Sequence, residues 1–333
     1  MISSLRALNA RRWFVGVTAA VGIGLLGWTV VSVNIDQLAD QLRSIRIVLP
    51  LVLALAAVRF ALQAEGWSLA TIDAERPHRG EAFAAVIAGE GAGYFALGPV
   101  SREPIKAAFV AHRVDERIGL AAAVTERLVY TAAATALSIL GVGILAFRHG
   151  HIRWFVAELV TVVTVLSVVK RFHRPRADVL SKPTMLCALK VSIVELRRRA
   201  GASTAVILFA ALQEFINVIE AYAVLSWLGA APSLADIVVL EGVSRLVNAA
   251  GQFVPGKLGV SEASSAALAS ALNIGGSYGL TLALARRARS LVWGAIGVML
   301  LAYRTVVLTP ASGSREPALG LASIANLSVA ESR

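Results

Sequence analysis

"GQFVPGKLGVSE", residues 251–262, sets three glycines, a proline, a lysine and a glutamate inside a chain dominated by apolar residues. Glycine and proline break helices and free backbone groups that hydrocarbon cannot satisfy, so such a stretch needs a reason to exist there. The wider segment 238–272 carries an apolar arm of about 12 residues before the break and a second arm after it. An arm of that length is about 17 Å of helix and reaches only the middle of a hydrocarbon core about 30 Å thick. We read the segment as a re-entrant helical hairpin with its irregular tip at membrane depth. Backbone of that kind is tolerated only where it is buried in protein or lines a wet cavity.

The rest of the chain supplies the membrane. With 57% hydrophobic residues over 333 positions and a mean hydropathy of +0.70, the apolar surface cannot be hidden in one soluble core. A crossing helix needs roughly 20 apolar residues. Runs of that order lie at about 13–34, 47–70, 118–147, 154–169, 203–228 and 277–308, giving six spanning helices. The first run follows Arg6, Arg11 and Arg12, exceeds the apolar core of a signal peptide and lacks a small-residue cleavage site, so it is retained. The single cysteine, Cys187, excludes an intramolecular disulfide and a zinc-thiolate cluster. "GIGLLG" at 22–27 fits a dinucleotide fingerprint but lies within a spanning run with no strand before it. We expect no metal, no cofactor and no catalytic constellation, hence no enzyme.

Basic residues set the orientation. Nine lysines and arginines fall between Lys170 and Arg199, whereas the loops on the opposite face hold Arg43, Arg46, Arg148 and Arg153. The 170–202 loop is therefore expected in the cytoplasm, with both termini, in a plasma (inner) membrane. Leu186, Leu189, Ile193 and Leu196 recur there at helical spacing, as in a helix lying on the membrane surface. The net charge of +11 is accounted for by topology and anionic lipid, and no nucleic-acid partner is expected.

A second segment repeats the first. "GYFALGPVSRE" at 93–103 and the opening stretch both read G-x-F, then Gly, Val-Ser and a closing Glu. Gly93, Gly98 and Pro99 would form one tip; Pro255, Gly256, Lys257 and Gly259 would form the other. Arg127 follows Glu103, and Arg286 follows Glu262, by the same 24 residues. Under the charge-derived topology the hairpins enter from opposite sides. The fold class is thus an all-α integral membrane protein, six spanning helices plus two re-entrant hairpins in an inverted repeat, the architecture of transporters with a central site. Repeat 1 covers about 47–147 and repeat 2 about 203–308, within a membrane domain 1–310 followed by a cytoplasmic tail 311–333. Gly141 and Gly143 sit in a continuous helix and should tolerate larger side chains than the tip glycines.

Charges inside these segments must face protein, water or one another, because a centrally placed charge facing lipid costs about 2.5–3.5 kcal/mol. Arg59, Glu90, Glu103, Lys106, Glu126, Arg127, Glu241, Arg245, Lys257, Glu262, Arg286, Arg287 and Arg289 are of this kind. Glu241 and Arg245, four apart, read as a local ion pair. Arg286 and Arg289 share a face with Trp293, a cationic stripe suited to a phosphate group that can accept bidentate hydrogen bonds. Glu103 and Glu262 are expected to neutralise Arg127 and Arg286 while the site is empty.

"GPVSREPIKAAF", "AAVTERLVY", "FVPGKLGVSEAS" and "ARRARSLVWGAIGVML" together resemble the transmembrane, flippase-like domain of lysylphosphatidylglycerol synthetases, over roughly residues 10–308. The resemblance is to a stand-alone member without the soluble aminoacyl-transfer domain, as in the group associated with hopanoid synthesis or lipid-linked sugar assembly. It implies translocation or binding of an anionic or lipid-linked headgroup through a central polar cavity, with a phospholipid, hopanoid or lipid-linked headgroup as partner and lipid-biosynthesis enzymes nearby. An accessory or transferase-like role in such a pathway is the alternative. The matched motifs point to Glu103, Lys106, Glu126, Arg127, Pro255, Gly256, Gly259, Glu262, Arg286 and Arg287. The chain departs from the family pattern at Arg102 and Lys257, where glycine is usual.

Overall fold

The computed structural model describes residues 35–71, 76–95, 102–148, 150, 193–194, 196, 198–250 and 259–308. Among them run eight helices: α1 (Ile35–Ala70), α2 (Arg79–Phe95), α3 (Arg102–Phe109), α4 (Glu116–Arg148), α5 (Ala200–Trp227), α6 (Leu234–Ala250), α7 (Val260–Ala271) and α8 (Gly276–Leu308). Ile45–Ala70, Glu116–Arg148 and Ala200–Trp227 are each long and apolar enough to cross a membrane. They match three expected runs, and α8 matches a fourth in extent. Its 33 residues include Arg286, Arg287 and Arg289, which demand polar partners within the protein. The expected spans 13–34 and 154–169, most of the basic loop and the tail 311–333 lie outside the described residues.

Each glycine-rich break is flanked by two helices that pack on one another, α2 with α3 and α6 with α7. Their lengths depart from expectation. α2 and α6 each have 17 residues, about 25 Å of helix, where arms of about 12 residues were read from the sequence. α3 has 8 residues and α7 has 12. The physical reason is visible in α2, where the glycines do not stop the helix but let it pack closely. A Cβ on Gly91 would lie 2.6 Å from the Gly294 carbonyl oxygen of α8, and one on Gly93 would lie 2.5 Å from the Arg102 side chain. Gly93, expected at the tip, is therefore inside α2. Gly98, Pro99, Pro255, Gly256 and Lys257 lie outside the described residues.

Gly259 is described and does special work at the start of α7. Its φ of +78° lies in the left-handed region that side chains avoid. Its N–H donates to the Glu262 carboxylate at 3.0 Å, and the Ser261 hydroxyl donates to the same oxygen at 2.7 Å. The glutamate three residues into the helix thus satisfies donors that the first turn leaves open.

The neighbour pattern has an internal order. α2 packs on α8 and α6 packs on α4, so the first arm of each hairpin lies on the long helix that follows the other hairpin. α3 packs on α4 as α7 packs on α8, α1 touches α2, α4 and α8 as α5 touches α6, α8 and α4, and α1 packs on α5. Exchanging α1–α4 with α5–α8 leaves these pairings unchanged. Both crossings are made through glycines. A Cβ on Gly297 would lie 2.1 Å from the Ile87 carbonyl oxygen, one on Gly242 would lie 2.7 Å from that of Leu137, and one on Gly141 would lie 2.8 Å from that of Val238. Gly141 is thus a close helix–helix contact, not the tolerant position expected from its continuous helix.

Two apolar clusters lie at different ends of the bundle. One joins the second half of α1 to α2, the α3–α4 turn and the later part of α8 around Phe60, Trp67, Val110 and Trp293. The other joins Val48 and Val52 of α1 to the end of α5, the start of α6 and the early part of α8. On α8, Arg286, Arg287 and Arg289 fall between the residues of the two clusters, after Leu282 and before Trp293.

Candidate functional site

The first group of charges is built by α2, α3 and α4. In the eight-residue α3, Glu103 and Lys106 are one turn apart and share a face. Lys106, 2% exposed, places its ammonium 2.5 Å from the Glu103 carboxylate, 3.5 Å from that of Glu126 on α4 and 5.7 Å from the Trp67 ring centre. One buried cation is therefore shared by two acids. Beside it Arg102 meets Glu90 of α2 at 2.8 Å. The indole N–H of Trp67 donates to the Gly119 carbonyl at 3.0 Å and fixes the end of α1 against the start of α4.

The second group is built by α5, α6, α7 and α8. Gln213, Glu214, Asn217 and Glu220, all buried, form a polar stripe at helical spacing along the apolar α5. Glu220 pairs with Arg286 at 2.9 Å and, closer still, with Arg289. Arg286 also reaches Glu241 of α6 at 2.8 Å. Arg245 bonds Glu241 at 3.0 Å and pairs with Glu214. On the far side of α8, Arg287 meets Glu262 at 2.7 Å. Four acids from three helices thus face four arginines, and each arginine has a carboxylate partner.

Two guanidiniums stand apart from this balance. Arg59, halfway along the apolar part of α1, donates to the Asn217 amide oxygen at 3.1 Å. Arg127 of α4 lies over the Tyr130 ring, 5.1 Å from its centre. Among the described residues neither has a carboxylate within ion-pair distance.

At the ends of the bundle the charges are ordinary surface groups. Arg79 pairs with Glu65 and Arg113 with Glu81 near the α3–α4 turn, where Arg304 also meets His112 at 2.7 Å. At the other end Arg148 pairs with Asp236, which also accepts from the Ser233 hydroxyl at 2.5 Å. Partial desolvation raises the Asp236 carboxyl's pKa, but the hydrogen bonds from Ser233 and Arg148 outweigh it and hold the carboxyl below its ordinary value.

The expected site residues fall into these groups in an unexpected arrangement. Glu103, Lys106 and Glu126 come together, as do Arg286 and Arg289. Glu103 does not neutralise Arg127, because Lys106 lies one turn away and claims it. Glu262 meets Arg287, since successive residues of a helix point about 100° apart and Arg286 faces α5 and α6 instead. The local Glu241–Arg245 pair exists but is one link in a longer chain of ion pairs. Glu214, Asn217 and Glu220 were missed. Their signal was present in the sequence as polar residues three and four apart in an apolar span, a pattern that reads as functional by default.

A family described as the lysylphosphatidylglycerol synthase TM region matches residues 13–297. No curated protein and no solved structure matches the chain.

Proposed function

The chain belongs to the lysylphosphatidylglycerol synthase transmembrane-region family, and from that premise we propose that it binds a lipid with an anionic or lipid-linked headgroup and moves it between leaflets. It is an all-helical membrane protein, and the family relation connects it with lipid headgroups at a coarse level. Translocation is the finer reading. The observation that carries it is the buried ionic layer linking Glu214, Arg245, Glu241, Arg286, Glu220 and Arg289 across three helices. Replacing such a network by apolar packing is often neutral or stabilising, so a scaffold alone gives little reason to keep it. A polar route through hydrocarbon does require it.

The exchangeable neighbour pattern of α1–α4 and α5–α8 supports an inverted repeat, with repeat 1 at about 47–147 and repeat 2 at about 203–308. In that arrangement the two hairpins approach the ionic layer from opposite faces, and rocking of one half against the other exposes the layer alternately. Placement in the inner membrane, with both termini, the 170–202 loop and the tail 311–333 in the cytoplasm, follows from the distribution of basic residues. Candidate partners are a phospholipid, a hopanoid or a lipid-linked headgroup.

The test is reconstitution of the purified chain into vesicles carrying a fluorescent phospholipid whose outer-leaflet copies can be chemically quenched. The wild-type chain should expose inner-leaflet lipid to the quencher faster than protein-free vesicles do. Arg286→Gln with Arg289→Gln should slow that exposure while leaving insertion intact. Equal rates in vesicles with and without the chain would reject translocation.

A further inference from the structure

We propose that Glu103, Lys106 and Glu126 form a proton-binding site, with Glu126 as the carrier, and that uptake and release of one proton there is coupled to each lipid transfer. This names an energy source for the lipid-handling reading and rests on it.

The first argument is charge balance. In the α5–α8 network Glu214, Glu220, Glu241 and Glu262 face four arginines. Around Lys106 the count is uneven, since one ammonium lies 2.5 Å from the Glu103 carboxylate and 3.5 Å from that of Glu126. Beside it Glu90 and Arg102 pair with each other at 2.8 Å. A buried carboxylate in excess of its cations needs another positive charge, and one proton restores neutrality.

The second argument settles which acid takes it. Glu103 is nearer the ammonium and its side chain is 13% exposed, so it stays paired and forms the open end of the site. The Glu126 side chain is 3% exposed, and among the described residues its Oε2 has no hydrogen-bond partner. An ionised oxygen sealed away without a hydrogen bond is costly, and a proton removes that cost. The Gln63 amide of α1 hydrogen-bonds the same carboxyl. A side-chain amide can donate to a carboxylate or accept from a carboxylic acid, so one neighbour serves both states.

The third argument comes from the surrounding charges. α3 presents Glu103 and Lys106 to Glu126, and Arg127 follows it on α4. Arg127 points about 100° away round the helix and lies over the Tyr130 ring. On α1, Arg59 is bound to Asn217 and Glu65 to Arg79. α5 and α6, which also pack on α4, hold Glu214 and Glu241 in pairs with Arg245. Among the described residues none of these makes a second ion pair with Glu126. The Lys106 ammonium already takes the place that a metal ion shared by the two acids would fill.

The site is tested by infrared spectroscopy of the full chain in vesicles, which reads the C=O stretch of a protonated carboxyl. At about pH 6, exposed carboxyls with ordinary values near about 4 are ionised. The wild-type chain should show a carboxylic acid band there that fades as the pH rises. Glu126→Gln should lose the band, and Asp236→Asn, at the other end of the bundle, should keep it. No such band in wild type, or a band that survives in folded Glu126→Gln, overturns the site. If Glu126→Gln does not fold, Glu126→Asp carries the assignment. Its acid is withdrawn from Lys106, so the pH midpoint of the band should shift, and an unmoved midpoint overturns the site. Coupling is tested with the fluorescent phospholipid in vesicles carrying a gradient of about 1 pH unit, worth about tenfold in lipid distribution if one proton accompanies one lipid. Wild-type vesicles should approach that imbalance between leaflets. Lipid that moves yet stays evenly distributed overturns the coupling and leaves translocation standing. A chain that moves no lipid with or without the gradient overturns the lipid-handling reading and the coupling together, and the infrared band alone then decides the proton site.

Discussion

The two halves of the bundle use the same helix geometry with opposite charge placement. In α1–α4 the short hairpin arm α3 carries the base, Lys106, and the long helix α4 carries the acid, Glu126. In α5–α8 the short arm α7 carries the acid, Glu262, and the long helix α8 carries the base, Arg287. What both halves keep is a charge pair joining the short arm to the long helix behind it; which partner carries which sign is free. The halves differ again in balance. Each of the four arginines of the second network, Arg245, Arg286, Arg287 and Arg289, has a carboxylate partner, whereas the first shares one lysine between two acids, and among the described residues Arg59 and Arg127 have no carboxylate within ion-pair distance. One neighbour pattern thus holds two different arrangements of charge.

The strongest way to break the shared frame is at its glycine crossings. Gly297→Val forces a side chain towards the Ile87 carbonyl, and Gly242→Val towards that of Leu137. Backbone cannot move aside as a flexible side chain can, so each should cost at least the 1–3 kcal/mol typical of about one overpacked position and reduce the yield of folded protein. Gly201→Ala in α5, where nothing lies within 4 Å, should stay within about 1 kcal/mol of wild type. Size-exclusion profiles and unfolding midpoints in detergent would decide it. Normal behaviour of both valine variants would mean that the crossings are loose and the two-fold pattern carries no weight.

Next in size is the asymmetry of the two arm pairs. Lys106→Met strands both Glu103 and Glu126 in a buried site, and removing one partner of a buried pair costs about 3–5 kcal/mol. Arg287→Met strands only Glu262, which still accepts from the Gly259 N–H and the Ser261 hydroxyl. The lysine variant should therefore lower the unfolding midpoint more, and adding Glu126→Gln should restore part of the loss. A larger effect at Arg287, or no rescue by the second substitution, would show that Lys106 is not the shared cation of a triad.

Legibility in the sequence followed the range of the interaction. Local features were readable. The apolar runs gave α4, α5 and α8 nearly end to end and the later part of α1, which begins at Ile35, twelve residues before the expected run. The G-x-F, Val-Ser and closing Glu pattern located the paired arms, and Glu262 three residues after Gly259 has the spacing of a helix cap. Arm length was misread because Gly89, Gly91 and Gly93 resemble a break, yet a glycine can also admit another helix, and only the neighbour decides between them. Ion pairing was readable only within one turn, as at Glu241 and Arg245. The pairings of Arg286 and Arg289 with Glu220, more than sixty residues away, depend on how helices rotate about their axes. A rotation of 100° separates Arg286 from Arg287, and no pattern within α8 alone says which of them faces α5.

The smallest expected effect lies at the bundle's end, where Arg148 pairs with Asp236 and the arginine side chain is 40% exposed. Arg148→Gln should cost no more than about 1 kcal/mol, since solvent screens such a pair. The sign with pH is fixed by the carboxyl. Its folded-state pKa is depressed, with the hydrogen bonds from Ser233 and Arg148 overcoming desolvation. A depressed acid contributes its full stability above the unfolded value, near about 3.9, and loses it as pH falls through the folded value. The difference in unfolding midpoint between wild type and Arg148→Gln should thus be largest near about pH 6 and shrink towards about pH 3. It should also shrink in about 1 M salt, where the screening length drops to about 3 Å. The buried Lys106 triad should respond far less to the same salt, because paired charges inside the protein are screened much less. Equal salt sensitivity of the two sites would mean that water reaches Lys106 as freely as Arg148, and the contrast between a sealed ionic layer and an open end would fail.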